Sequence, residues 1–189
     1  MCFNTAMSEE SQREILIDTD RLVLRRVTPA EGQQILEFEE PDGLPFAEGY
    51  PGAFSQEVMD LFVGERAAEA PSFDPWFIIR KEQKDVIGEI GSSTPLGAHR
   101  PTVGYDIVEP LWGQGYATEA LEGLLTYLFS LPGVESVEAD TMADHIGSRR
   151  VMEKAGMALF DTRTQEVDGE VLTMVFYEIW RPEDEDTSG

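Results

Sequence analysis

"LWGQGYATEAL", residues Leu111–Leu121, joins an extended segment to a helix through two closely spaced glycines, and this junction decides the fold. The run "TVGYDIV" before it is rich in branched and aromatic residues, which predicts a β-strand. After it, alanine and leucine recur at helical spacing as far as Leu128, which predicts an amphipathic helix. Glycines at such a junction let a ligand approach the N–H groups of the helix N-terminus, which favour phosphate.

Three other interpretations of the glycine turn have to be weighed. A P-loop requires Gly-x-x-x-x-Gly-Lys-Ser/Thr, which the sequence lacks. A dinucleotide-binding fingerprint is met by Gly113 and Gly115, but its third glycine position holds Thr118, and the turn follows a predicted antiparallel meander. The third alternative is that the two glycines only close a tight turn.

Length and composition predict a single cytoplasmic domain. The 189 residues are enough to bury a core, and the single Cys2 excludes an internal disulfide framework. With one cysteine and two histidines, the sequence offers no cluster of metal ligands, so no metal is expected. We find no apolar signal-peptide core and no run of about 18 apolar residues, so no membrane partner is expected.

The balance of charge is strongly acidic. The chain carries 37 Asp and Glu against 14 Lys and Arg, a net charge of -23. Binding to nucleic acid through phosphate neutralisation is therefore not expected. Two explanations remain open, a solvated acidic surface suited to a salt-rich cytoplasm and attraction of a cationic acceptor. Activity that weakens with ionic strength would favour the second.

The pattern of apolar runs and turn residues predicts a mixed α/β (α+β) domain in the order β-α-α-β-β-β-α-β-α-β-β. A capping box at Thr28 and Glu31 opens the first helix, and Ser55 is expected to cap the second. Asp168-Gly169 predicts a hairpin between the last two strands. Residues 15–181 are assigned to this domain, with a flexible tail over residues 1–14 and an acidic tail over residues 182–189.

Two signatures together resemble the GNAT superfamily of N-acetyltransferases, in particular its branch of ribosomal-protein N-terminal (Rim-type) acetyltransferases. The first is "VGYDIVEPLWGQGYATEAL", in which the matching loop residues are Trp112, Gly113, Gln114, Gly115, Tyr116, Ala117 and Thr118. The second, "HIGSRRVMEKAGM", follows about 30 residues later. It matches at Ser148, Val151, Glu153, Lys154 and Gly156, but His145 replaces the asparagine of the branch and Met157 replaces its phenylalanine.

The resemblance implies a mostly antiparallel mixed sheet of about seven strands, splayed at its centre and flanked by about four helices. It also implies acetyl-CoA as cosubstrate, bound by the glycine loop, by His145 in the place of the asparagine, and by Ser148. Arg149 and Arg150 are expected near the pyrophosphate and adenosine end of the coenzyme, with ion pairs to neighbouring Glu or Asp as the alternative. Main-chain groups of Asp106, Ile107 and Val108 are expected to position the thioester and its developing oxyanion.

The same resemblance implies direct transfer of acetyl to a primary amine through a tetrahedral intermediate. Many relatives protonate the departing thiolate with a tyrosine, but Met152 stands at that position, so Ser148 is the candidate acid. Its alternative role is a hydrogen bond within its own helix. Asp140 and Glu89 are the candidate general bases. For each, the alternative is a carboxylate with no catalytic role.

The acceptor is left open by the sequence. Candidates are the N-terminal α-amine of a basic ribosomal protein, a polyamine, an aminoglycoside and an amino-acid-like amine. Alternatives to an acetyltransferase are a non-catalytic CoA-binding domain on the same scaffold and, more distantly, a dinucleotide-binding oxidoreductase. The oligomeric state is also open, with a homodimer as the assembly that the resemblance suggests.

Overall fold

The computed structural model describes residues 15–67, 73–93, 99–167 and 170–182. In these residues the chain forms one mixed sheet of eight strands, four α-helices and a 3₁₀ turn. The elements, in chain order, are β1 (Leu16–Asp18), β2 (Leu22–Arg26), α1 (Pro29–Leu36), α2 (Ala53–Val63), β3 (Phe73–Arg80), β4 (Val86–Ser93), β5 (Thr102–Ile107), the 3₁₀ turn (Glu109–Leu111), α3 (Tyr116–Ser130), β6 (Ser136–Met142), α4 (Ile146–Lys154), β7 (Ala158–Val167) and β8 (Glu170–Trp180).

The predicted fold class is confirmed, with one short strand more than expected. The first strand predicted around Arg21–Val27 is β2, and a turn at Thr19 joins it to the additional strand β1. The Thr19 N–H donates to the Leu22 carbonyl at 3.0 Å, and the Thr19 hydroxyl accepts from the Leu22 N–H at 3.1 Å. These local hydrogen bonds reverse the chain, because a threonine side chain can satisfy main-chain groups near its own position.

The sheet has the strand order β1-β2-β3-β4-β5-β6-β8-β7, and its neighbouring strands are antiparallel except for β5 and β6. Those two parallel strands are in register at a single pair, Thr102 opposite Glu138. Beyond this pair they diverge toward Ile107 and Met142, which is the splay that the sequence predicted. The divergence leaves main-chain groups of β5 without a neighbouring strand and opens a cleft inside the sheet.

Helices cover both faces of the sheet. On one face α3 packs the ring of Tyr127 against Trp76, with 5.2 Å between ring centroids, and the Tyr105 hydroxyl donates to the Ser148 carbonyl of α4 at 3.0 Å. On the other face the Ser55 hydroxyl of α2 reaches Glu89 of β4 at 2.9 Å. The sheet interior is apolar, and its largest fully buried side chains include Trp76, Tyr177, Phe77, Leu121 and Leu124.

Local signals fix the helix ends with one exception. The capping box at α1 is confirmed, since the Glu31 N–H donates to the Thr28 hydroxyl at 3.3 Å and the Thr28 N–H donates to the Glu31 carboxylate at 2.9 Å. The expectation that Ser55 caps α2 is wrong. The helix begins at Ala53 after Gly52, and Ser55 lies buried within it, where a carboxylate accepts its hydrogen bond.

Some predicted features lie outside the described residues. They are the N-terminal tail, the Asp168-Gly169 turn and the acidic C-terminal tail after its first residue. The strands that flank the turn pair antiparallel from Val167 opposite Glu170. In the part of the chain that is described, no helix is both long and apolar enough to cross a membrane, and no three His, Cys, Asp or Glu side chains gather in a way that could hold a metal ion.

Candidate active site

The glycine loop adopts a backbone that its sequence makes accessible. Gly113 has φ +74° and Gly115, the residue before α3, has φ +84°, both in the left-handed region that side chains disfavour. A Cβ at Gly113 would have no atom within 4 Å, so its outer surface faces open space. The loop therefore presents bare main chain at the positive end of a 15-residue helix.

A cleft of about 590 Å³ lies between the C-terminal half of β5, the glycine loop and the two helices α3 and α4. Both sequence signatures contribute to its walls, although about 30 residues separate them along the chain. The residues that line it are Tyr105, Asp106, Ile107, Leu111, Trp112, Gly113, Gly115, Tyr116, Ala117, Thr118, His145, Gly147, Ser148, Arg150, Val151 and Lys154.

Most of the residues predicted to bind the coenzyme come together in this cleft, and three do not line it. Val108 is buried and its N–H donates to the Ile87 carbonyl at 2.9 Å. Gln114 directs its carbonyl outward to the Arg21 guanidinium at 2.9 Å. Arg149 is engaged elsewhere, since its guanidinium donates to the Ala143 carbonyl at 2.9 Å and to the Tyr177 hydroxyl at 3.2 Å.

The main chain of β5 directs the Ile107 N–H toward the cleft. In an antiparallel ladder, successive residues direct their main-chain groups alternately toward one neighbour and the other. Because the Val108 N–H points to β4, that of Ile107 points to the opposite side, where β6 has diverged. The Ile107 carbonyl accepts a hydrogen bond from Trp112 Nε1 on that same side, which supports this orientation.

A buried carboxylate lies next to the cleft on the face covered by α2. Glu89 is only 2% exposed, and its two oxygens accept hydrogen bonds from the Tyr50 hydroxyl at 2.6 Å and the Ser55 hydroxyl at 2.9 Å. Burial raises the pKa of Glu89 to about 7, and the nearby Asp106 also raises it, while the two hydroxyls act in the opposite direction. A carboxyl with this pKa exchanges a proton readily at neutral pH.

Glu89, Asp106 and Asp140 are among the carboxylates on this face of the sheet. Glu89 and Asp106 lie opposite each other in register on β4 and β5. Thr102 and Asp106 point to the same face, because side chains alternate along β5 with a period of two. Glu138 pairs with Thr102 on β6 and shares this face, and so does Asp140, two residues after Glu138. Burial raises the pKa of Asp106 above its usual value, and partial desolvation does the same for the exposed Asp140.

The chain matches the acetyltransferase (GNAT) domain family over residues 21–158. It is 29% identical over 150 residues to an uncharacterized N-acetyltransferase of Bacillus subtilis, YoaA, covering 75% of this chain and 81% of that protein. A GNAT-family acetyltransferase from Bacillus anthracis has the same fold, with a TM-score of 0.66, 22% identity, and coverage of 89% of this chain and 100% of that one.

The protein belongs to the GNAT acetyltransferase family. The RimL ribosomal-protein α-N-acetyltransferase, solved in complex with coenzyme A, also shares the fold, with a TM-score of 0.65, 16% identity, and coverage of 88% of this chain and 98% of that one. The chain is therefore an acyltransferase of the kind that moves acetyl from acetyl-CoA to an amine. This result stands against the dinucleotide-binding oxidoreductase that was considered as an alternative.

Basic side chains of α4 line the cleft, but Arg149 is not among them. Arg150, the next residue along α4, and Lys154, one turn later, line the cleft wall. Helical geometry explains this choice, since residues four apart lie on one helix face whereas Arg149 is rotated about 100° from Arg150. A contact between Arg149 and the coenzyme stays a prediction, and the geometry favours Arg150 and Lys154 as partners for phosphate.

His145 and Ser148 both reach the cleft at the start of α4. His145 precedes the helix without capping it, and its Nδ1 lies 3.3 Å from the Thr141 hydroxyl. Ser148 stands one turn further along, and its carbonyl accepts the hydrogen bond from the Tyr105 hydroxyl. Two polar side chains of the second signature thus face the first signature across the cleft, while Met152 is buried in the core.

Several residues of this GNAT site were missed in the sequence. Lys154 lies inside the quoted second signature, so the helical repeat of α4 could have placed it beside Arg150, which the sequence predicts near the pyrophosphate together with Arg149. Tyr105 lies in the strand before the loop, and the alternation of "VGYDIV" places it on the same face as Ile107. Tyr50 and Ser55 carry no recognisable signal, because they approach Glu89 only through the tertiary fold.

Proposed function

We propose that this chain transfers acetyl directly from acetyl-CoA to a primary amine, and that the cleft between β5, α3 and α4 holds the coenzyme. The observation that carries the proposal is the convergence of both signatures on one cleft, with bare main chain at the α3 N-terminus. Acetyl-CoA supplies the acetyl thioester that the amine attacks. The residues of the chain bind it, orient it and move protons.

The donor set of the cleft fits an anionic ligand of this kind. N–H groups between Gly113 and Ala117 at a helix N-terminus suit a diphosphate, because the helix dipole and the unshared amides act together. Arg150 and Lys154 add positive charge on the opposite wall. In a chain of net charge -23, binding of a polyanion depends on such local donors.

The Ile107 N–H is the donor best placed for the developing oxyanion. It points into the gap between β5 and β6 and belongs to a strand that the sheet holds rigidly. Val108, which was expected to share this task, has its N–H committed to Ile87. A single fixed donor to a developing oxyanion supplies about 100- to 1,000-fold in rate.

Glu89 is our candidate for the general base, acting through water or through Asp106. An amine is an ammonium ion at neutral pH and must lose a proton before it attacks. A carboxyl with a pKa of about 7 suits this step, and Glu89 lies opposite Asp106, which reaches the cleft. Asp140, on the same face, is the alternative base.

Ser148 remains our candidate for protonating the departing thiolate. Its side chain lines the cleft at the start of α4, and Met152 at the position of the usual tyrosine is 1% exposed and carries no proton to donate. The nearby Tyr105 hydroxyl binds the Ser148 carbonyl and so fixes the first turn of the helix.

For the acceptor we propose an N-terminal α-amine of a protein, as in the Rim-type branch that the first signature resembles. The RimL structure shares the fold, and carboxylates that include Glu89, Asp106 and Asp140 lie on the sheet face where the acceptor would enter. A small polyamine is the second candidate, because those carboxylates would also attract a cationic molecule.

Release of free thiol from acetyl-CoA tests the proposal. Purified protein is incubated with acetyl-CoA and a panel of peptides with free or blocked N-termini, polyamines and amino acids. We expect thiol release above background with at least one free amine and none with the blocked peptides. Saturable coenzyme binding without thiol release on any amine would instead support the non-catalytic alternative.

A further inference from the structure

We propose that Arg21 is a positioning residue that holds the Gly113–Ala117 loop in its phosphate-binding orientation. Arg21 precedes β2, 92 positions before the first glycine of the loop, and no sequence signature includes it. This inference rests on the proposed function, because it assumes that the loop binds the diphosphate of acetyl-CoA.

The Arg21 guanidinium joins three parts of the loop and helix. Its Nη1 donates to the Gln114 carbonyl at 2.9 Å, and its Nε donates to the Glu119 carboxylate at 2.7 Å. Its plane lies over the Tyr116 ring, with 4.4 Å from Cζ to the ring centroid. A fourth contact comes from the main chain, since the Arg21 N–H also donates to Glu119 at 2.6 Å.

The bond to Gln114 determines where a neighbouring N–H points. In a planar trans peptide the carbonyl of Gln114 and the N–H of Gly115 point in opposite directions. Because Arg21 holds that carbonyl on the outer side of the loop, the Gly115 N–H is directed to the inner side, toward the cleft. Gly113 and Gly115 would otherwise allow this peptide to rotate at little cost.

The ion pair with Glu119 compensates a negative charge that would otherwise be unfavourable near the coenzyme phosphates. Glu119 lies in the first turn of α3, close to the place where the coenzyme phosphates are expected. Burial acts to raise its pKa, but hydrogen bonds from Thr19 and Arg21 outweigh this effect and hold it below the usual value, so the carboxylate is ionised. Arg21 neutralises this carboxylate through an ion pair of 2.7 Å. Without the guanidinium, a negative charge would face a polyanionic ligand.

Comparison of two thioesters separates positioning from a general structural effect. Acetyl-CoA contains the diphosphate, whereas S-acetyl-pantetheine contains the same reacting group without it. We expect Arg21→Gln to lower kcat/KM for acetyl-CoA about ten-fold or more, the size expected for lost charge-assisted hydrogen bonds. The loss should lie in KM, and kcat/KM for acetyl-pantetheine should change by less than about three-fold.

Two further variants keep the experiment decisive. The double variant Arg21→Gln/Glu119→Gln also removes the negative charge that Arg21→Gln leaves without its partner, so it should recover part of the activity with acetyl-CoA. Arg21→Lys retains a positive charge and replaces Arg21→Gln in the experiment if the glutamine variant folds poorly. Arg25→Gln is the matched control, since Arg25 lies four residues after Arg21, on β2, pairs with Glu31 at 2.9 Å and does not line the cleft. Its preference between the two thioesters should equal that of the wild type.

The possible failures are distinguishable. If the wild type shows no preference for acetyl-CoA over acetyl-pantetheine, the proposed function of the loop is wrong. If the wild type shows the preference and Arg21→Gln and Arg21→Lys retain it fully, or lose activity equally on both thioesters, the role of Arg21 is wrong while the loop assignment stands.

Discussion

The two sides of the cleft are built in different ways. The coenzyme side consists of main-chain groups and helix ends from two contiguous signatures, Val103–Leu121 and His145–Met157. The proposed acceptor side consists of side chains, with Glu89 from one strand and Tyr50 and Ser55 from separate parts of the chain. Main-chain geometry depends on local sequence, whereas a cluster of side chains from distant positions forms only when the chain folds. The coenzyme side can therefore be predicted from the sequence, and the acceptor side cannot.

The largest expected effect tests the acceptor side. Glu89→Gln should lower kcat/KM by about 100- to 10,000-fold, the contribution typical of a general base. Wild-type kcat/KM should rise with pH through about 7, because Glu89 accepts a proton only when ionised, and this limb should be absent in the variant. Steady-state rates between pH 5.5 and 8.5 measure both quantities.

Asp140→Asn is the matched control for this prediction, since Asp140 shares the sheet face but is exposed. We expect its pH profile to keep the limb near neutrality. If Asp140→Asn instead removes the rise of kcat/KM near pH 7 and Glu89→Gln retains it, Asp140 is the general base. The role of Glu89 is then only to hold α2 against the sheet through Ser55.

The next effect tests the coenzyme side. Gly115→Val should lower kcat/KM for acetyl-CoA about 100-fold, because a β-branched residue at φ +84° forces the loop to rearrange and its Cβ would lie 3.4 Å from Arg21. Gly43→Val is the control, since Gly43 has a similar φ of +72° with no atom within 4 Å of an added Cβ. Equal losses of activity in both variants would attribute the effect to strain alone.

A smaller effect decides between two adjacent arginines. Arg150→Ala should weaken acetyl-CoA binding about ten-fold, the value expected for one lost charge-assisted contact in a partly exposed cleft. Arg149→Ala should leave the Kd within about two-fold, because its guanidinium binds Ala143 and Tyr177. Calorimetric titration measures both. The opposite ranking would restore the contact predicted from the sequence for Arg149.

The smallest effect concerns the tuning of Glu89. Tyr50→Phe removes a hydrogen bond of 2.6 Å that lowers the pKa of Glu89, so that pKa should rise further. The rising limb of kcat/KM then moves to higher pH, and activity at pH 7 falls by roughly three-fold for a bond worth about 1 kcal/mol, because Glu89 is only about half ionised at that pH in the wild type. Tyr127→Phe, which loses a contact to Arg26 remote from the cleft, should leave the limb unchanged.

The sequence predicted the fold closely because its decisive signals are local. The glycine turn, the capping box at Thr28 and the alternation of the strands each operate within a few residues. Failures occurred where a side chain has a distant partner. Ser55 matched a helix cap in its local sequence, but Glu89, 34 positions away, takes its hydroxyl instead. Arg149 and Arg150 are equivalent by composition, and only the rotation of α4 distinguishes them.

Because β5 and β6 pair only at Thr102 and Glu138, coenzyme binding should be measurable by hydrogen exchange, with no need for turnover. On the side facing the gap, amide protons of β5 have no strand to shield them, so in deuterated water they should exchange faster than those facing β4. A bound cosubstrate would fill the position of the absent strand and slow the Ile107 amide selectively. The exchange rates of individual β5 amides beside the gap would therefore report whether the cleft is occupied.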